Sequence, residues 1–252
     1  MSPLERHLRK WMEKAILDFG MIAPGDRVAV AVSGGKDSLA LTHLIRGPFI
    51  HAPQDFKLEF IHIATGYPGA DPRPAAEWAA ARGVALRIVE TDIYAQSAGK
   101  KKRVCYLCAR ARRKALIETA AALGCNKIAL GHHRDDVIET FLMNIFLNGE
   151  TSCMMPDQPL FGGGIHLIRP LYYIRERLLR RFAREHGLPE QAVRCPAEED
   201  SKREFVRKLL AALEAERPTV RDDIFSAQFR LLPEYMPKLP NSNRPPETPP
   251  RV

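Results

Sequence analysis

Three short stretches of the chain concentrate residues able to do chemistry: SGGKDS at 33–38, CYLC at 105–108 and GHHRDDVIET at 131–140. In the first, an apolar run at 28–32 leads into the polar hexapeptide, and Leu39, Leu41, Leu44 and Ile45 follow at helical spacing. A strand that enters a helix through Gly34 and Gly35 aims backbone N–H groups at an anion from the positive end of the helix dipole. Ser33 and Ser38 add hydroxyl donors and Lys36 adds positive charge. The stretch reads as a phosphate cradle. It fits neither G-x-x-x-x-G-K-[ST] nor G-x-G-x-x-G, so the two common nucleotide loops do not describe it.

In the third stretch, a strand ending near Leu130 delivers His132, His133, Asp135 and Asp136 to its carboxyl end, where open α/β sheets place their ligands. On the helix that follows, Asp136, Glu139 and Thr140 share a face and offer oxygen donors suited to Mg²⁺ beside phosphate. Phe141, Leu142, Ile145 and Phe146 are expected on the core side of that helix. Acids at a helix start also act as simple caps, which needs no metal.

Cys105 and Cys108 stand at a helix start among eight Lys or Arg between Gly99 and Lys114, a window without an acid. Cations lower a thiol pKa, and thiolates take soft metals, so zinc, an iron–sulfur cluster and redox chemistry all fit. Cys195, in VRCPAEED, is a third candidate that also fits a buried core thiol. Three thiolates fall one short of a closed zinc or cluster site, leaving a position open to an exogenous sulfur. An odd count of five cysteines is not a disulfide framework.

The elements that must position these residues follow from periodicity. Apolar runs at 28–32, 58–64, 84–89 and 127–130 alternate with helical patterns at 39–45, 75–82 and 109–123, which predicts a doubly wound α/β domain with a parallel sheet. A short strand at 166–169 follows, then helices near 174–186, 199–216 and 221–232. The expected organisation is an N-terminal helix over 1–20, a nucleotide-binding domain over 21–190, a helical region over 191–232 that completes the site, and a tail over 233–252 with seven prolines. No apolar run reaches the roughly 18 residues of a membrane span, and the charged N-terminus argues against a secretory signal. A cytoplasmic location with no membrane partner is expected. The net charge is +8, and the window 99–114 accounts for that excess, which suits nucleic-acid phosphates.

SGGKDS closely matches the S-G-G-x-D-S loop of the PP-loop ATPases, and Gly131, His132, Asp135, Asp136, Glu139 and Thr140 resemble that family's G-H-x-x-D-D-x-x-[EQ]-T signature. With CYLC between the two motifs and a late lone cysteine, the chain resembles the tRNA 2-thiocytidine synthetase family. The likeness runs through CYLCARARRKAL, ALGHHRDDVIETFLMNIF and HLIRPLYYIRE.

The resemblance implies the PP-loop fold (adenine nucleotide alpha hydrolase-like) and ATP-dependent tRNA thiolation at the 2-carbonyl of an anticodon-loop cytidine. ATP with Mg²⁺ would lie on Ser33, Gly34, Gly35, Lys36, Asp37, Ser38, Gly131 and His132. Lys36, Asp37, Asp135 and Asp136 would be catalytic, and a [4Fe-4S] cluster would sit on Cys105, Cys108 and Cys195. Cys125 and Cys153 match no motif and are expected to be structural. Lys100, Lys101, Lys102, Arg103, Arg110, Arg112 and Arg113 would hold tRNA phosphates.

A cysteine desulfurase or inorganic sulfide would supply sulfur, and a homodimer is expected. Where relatives carry an acid after the second strand, this chain reads HIATGYPGAD, so the family's adenosine contacts do not carry over there; the missing paired terminal zinc-finger cysteines point to cytidine over uridine. The alternatives are thiolation of uridine, an ammonia-dependent synthetase, and a zinc-stabilised RNA-binding protein with a vestigial loop.

Overall fold

The computed structural model describes residues 1–97, 104–189 and 202–236, with only the backbone of 97 and of 104–106. Its centre is a six-stranded sheet made of β1 (Arg27–Ala31), β2 (Lys57–Ala64), β3 (Leu86–Glu90), β4 (Lys127–Ala129), β5 (Asp157–Leu160) and β6 (Ile165–Ile168), in the order β3-β2-β1-β4-β6-β5. Every pairing is parallel except β5 with β6. Sequence order reverses direction between β1 and β4, and a switch point of this kind opens a crevice beyond the carboxyl ends of the strands.

The central strands are buried on both faces, which explains their unbroken apolar sequence. Val28, Val30 and Val32 pack into one core, with α1 (Pro3–Asp18), α2 (Lys36–Ile45), α3 (Arg73–Ala80), α6 (Arg134–Met143), α7 (Glu176–Glu185), α8 (Lys202–Glu216) and α9 (Val220–Ala227). Ala29, Ile61 and Ile128 pack into the other, with α4 (Ile93–Ser97) and α5 (Val104–Ala122). The period of two along each strand sends neighbours to opposite faces.

Two expectations need correction. Ile145 and Phe146 do not fill the core, because α6 widens after Met143 into a π-helical turn, Asn144–Asn148, that rotates them outward to 38% and 51% exposure. Cys153 is exposed, so it is no core thiol, whereas Cys125 is buried as a structural residue should be. Strand β5 carries a proline, which a sheet tolerates at its edge, and its polar sequence DQPL gave no strand signal. None of the described helices is long and apolar enough to cross a membrane.

Candidate active site

Both chemical loops leave the sheet at its switch point, residues 32–35 from β1 and 130–133 from β4. Gly34 has φ +88°, a conformation that costs other residues steric strain. The turn it makes lets Ser33 N and Oγ each donate to Ser38 Oγ at 3.1 Å, while Ser38 Oγ donates to Gly35 O at 2.8 Å. Gly35 is the N-cap of α2 and brings no side chain, so the first N–H groups of that helix remain open to an anion. Gly131 touches the same turn from the other side: a Cβ there would lie 3.0 Å from Ser38 N and 3.1 Å from the Asp37 carbonyl carbon.

Between the two loops lies a cavity of about 410 Å³ lined by Ser33, Gly35, Asp37, Ser38, Gly131, His132 and Asp136, with apolar walls from Ile61, Ile63, Leu116 and Leu130. Arg112 and Arg203 also reach it. Asp37 Oδ1 and His132 Nδ1 are buried here and have no hydrogen-bond partner among the described residues. Burial lowers the His132 pKa to about 4, against the pull of Asp136, so the ring is neutral at pH 7.

The acids of α6 are held tightly. His133 is the N-cap; its Nδ1 accepts from Asp136 N at 3.4 Å, and its own backbone N–H donates to Asp136 Oδ2 at 3.0 Å. The capping alternative is therefore realised at Asp136. Arg203 donates to Asp136 Oδ1 at 3.2 Å, and Arg207 to Glu139 Oε1 at 2.9 Å. Asp135 accepts from Glu176 N at 2.7 Å and from Arg221 at 3.1 Å. Burial alone would raise the Asp136 pKa, but the two histidines and Arg203 hold it below its ordinary value. At Glu139 burial prevails over Arg207 and Arg203, and the pKa is raised.

The expected residues divide accordingly. Ser33, Gly35, Asp37, Ser38, Gly131, His132 and Asp136 meet around one cavity, whereas Lys36 turns to its neighbour, where Nζ pairs with Asp37 at 2.9 Å and Glu176 at 2.8 Å. Cys108 is half-buried on α5; Cys195 lies outside the described residues, and the Cys105 side chain is not described. The arginines that meet the acids were missed in sequence. Their signal was complementary spacing: Arg203 and Arg207 are four apart on one helix, as Asp136 and Glu139 are three apart on another.

A parallel sheet with a glycine-rich anion loop at its switch point, faced by a histidine and acids from the neighbouring strand, defines a PP-loop nucleotide-binding protein, and residues 2–213 match the PP-loop domain family. The chain is 39% identical over 236 residues to tRNA-cytidine(32) 2-sulfurtransferase of Geobacter sulfurreducens, covering 92% of each chain. It is 39% identical over 240 residues to the enzyme of that name from Pelobacter propionicus, covering 93% of this chain and 89% of the other. The protein belongs to the tRNA-cytidine(32) 2-sulfurtransferase family. The fold is shared with the U34-tRNA thiolase NcsA from Methanococcus maripaludis, solved with its [4Fe-4S] cluster, at a TM-score of 0.70 and 24% identity over 92% of this chain and 81% of that one.

Proposed function

We propose that the protein uses ATP to thiolate tRNA at the 2-carbonyl of a cytidine in the anticodon loop. The carbonyl oxygen attacks the α phosphate, pyrophosphate leaves, and sulfide then displaces the oxygen as AMP. Adenylation makes that oxygen a good leaving group. The open N-terminus of α2, with Ser33 and Ser38, binds the phosphates that depart. Ile61, Ile63 and Leu130 accept the adenosine, and neutral His132 offers a hydrogen bond. Arg112 and Arg203 place positive charge where negative charge builds on the phosphoryl group.

Asp37 is the residue that fits Mg²⁺, because its Oδ1 is buried without a hydrogen-bond partner while all four oxygens of Asp135 and Asp136 are engaged. The ion would neutralise phosphate charge there. Cys105 and Cys108, three residues apart in the first turns of α5, suit a soft metal centre, and with Cys195 they would hold a [4Fe-4S] cluster that would supply a soft, sulfur-binding site for the thiolation. Sulfur would come from a cysteine desulfurase or inorganic sulfide, in the cytoplasm.

One observation carries this reading: Cys108, Arg112 and Leu116 follow one another at intervals of four along α5, and the last two line the nucleotide cavity. Each step of four residues advances about 6 Å, so the thiol is within two helical turns of the cavity wall. The test is anaerobic incubation of the protein with unmodified tRNA, ATP, Mg²⁺ and sulfide, followed by mass spectrometry of the nucleosides. 2-Thiocytidine is expected; 2-thiouridine alone, or no thiolated base with cluster-loaded protein, overturns the proposal.

A further inference from the structure

The phosphate loop has a second side. Gly35 and Asp37 also form one wall of a cavity of about 940 Å³, more than twice the size of the nucleotide cavity, whose opposite wall is α7. Helix α7 buries Leu179 and Phe182 completely and turns Arg177, Arg180, Arg181 and Arg184 to solvent. Residues 175–186 hold five arginines, two glutamates and no lysine.

The acids do not cancel this charge. Glu176 is shared between Lys36 and Arg180, at 2.8 and 3.0 Å, and Glu185 is taken by Arg181 at 2.7 Å. Arg177 and Arg184 make no ion pair among the described residues, and Arg184 borders the cavity beside Arg180. A solvated helix face is the ordinary role of such residues. This face differs in opening onto a cleft more than twice the volume of the nucleotide cavity, bounded by the phosphate loop itself. Arginine forks also match phosphodiester oxygens better than lysine does.

We propose that this cavity and the α7 arginines bind the ribose-phosphate backbone of the substrate RNA next to the base being modified. The proposal rests on the tRNA reading above. Helix α7 packs in the core on one face of the sheet and α5, with Arg110, Arg112 and Arg113, in the core on the other. The RNA strand therefore straddles the carboxyl edge of the sheet, with a basic helix on each side.

The experiment measures binding of an unmodified tRNA transcript to the full chain, without ATP, across a range of salt concentrations. R180A/R184A should weaken binding by about tenfold at 0.1 M salt and reduce the slope of log affinity against log salt by about 2. ATP affinity should not change, and the loss of the exposed Arg180–Glu176 pair should lower stability by no more than about 1 kcal/mol. R180K/R184K should restore the salt slope but only part of the affinity. Wild-type affinity and slope in R180A/R184A would overturn the assignment while leaving the tRNA reading intact. A weakened ATP affinity would also overturn it, by placing these arginines on the nucleotide. Failure of the wild-type protein itself to bind tRNA would instead bring down the reading on which the proposal rests.

Discussion

Helices α6 and α7 bring charge to the same loop in opposite ways. On α6 the carboxylates of Asp135, Asp136 and Glu139 are buried, and each meets an arginine from α8 or α9. On α7 the arginines stand in solvent, and the one acid near the loop, Glu176, is already occupied. A charge in low dielectric must be matched before the chain will fold around it, so its geometry is fixed in advance. An exposed charge has no such requirement and stays available to a mobile polyanion. On the proposals above, the first arrangement positions a reaction, and the second gathers a substrate.

The contrast breaks most sharply at Asp136. D136A removes the reciprocal cap and leaves Arg203 with Glu139 alone, and should cost about 3 kcal/mol in urea denaturation, with loss of pyrophosphate release. A loss near that of a surface substitution would show that the acid row does not hold α8. G131A comes next. Its methyl would press on the backbone of Ser38 and Asp37, so a stability cost of about 1–3 kcal/mol and weaker ATP binding by calorimetry are expected.

Glu176 sharpens the comparison because it is the one residue of α7 that behaves as the acids of α6 do. Burial opposes its ionisation, but Lys36 and Arg180 prevail and bring its pKa from 4.5 down to about 2. Its contribution is therefore complete above pH 4.5 and disappears as pH falls towards 2. E176Q should flatten this part of the acid-stability curve, lying below the wild type across pH 6 to 8, where the carboxylate contributes fully, and converging with it near pH 2. The smallest effect belongs to R177A, which should shift stability by less than about 0.5 kcal/mol; a larger loss would place this exposed arginine with the buried class.

Much of this was legible in the sequence, for identifiable reasons. Strands β1, β2 and β4 announced themselves because burial on both faces demands continuous apolar runs, and the loop at 33–38 because a helix that opens on an anion leaves glycine, serine and lysine as its trace. The role of Lys36 was not visible, since Glu176 lies 140 residues away and only the fold brings the two together. The basic surface of α7 was hidden by charge counting. Once the window at 99–114 is set aside the rest of the chain is close to neutral, and this conceals four arginines on one helix, of which Arg177 and Arg184 have no acid paired with them among the described residues. The outward turn of Ile145 and Phe146 was also invisible, because a π-helical turn changes the angular step between residues without a sequence mark.

The contact between Gly131 and the backbone of residues 37 and 38 has a consequence for how this scaffold can change. Main chain rests on main chain there, so the gap between the two loops is a fixed gauge that no rotamer can widen. New specificity in such a protein has to be written on the outer walls, in the helices that approach the slot, while the slot keeps its calibre.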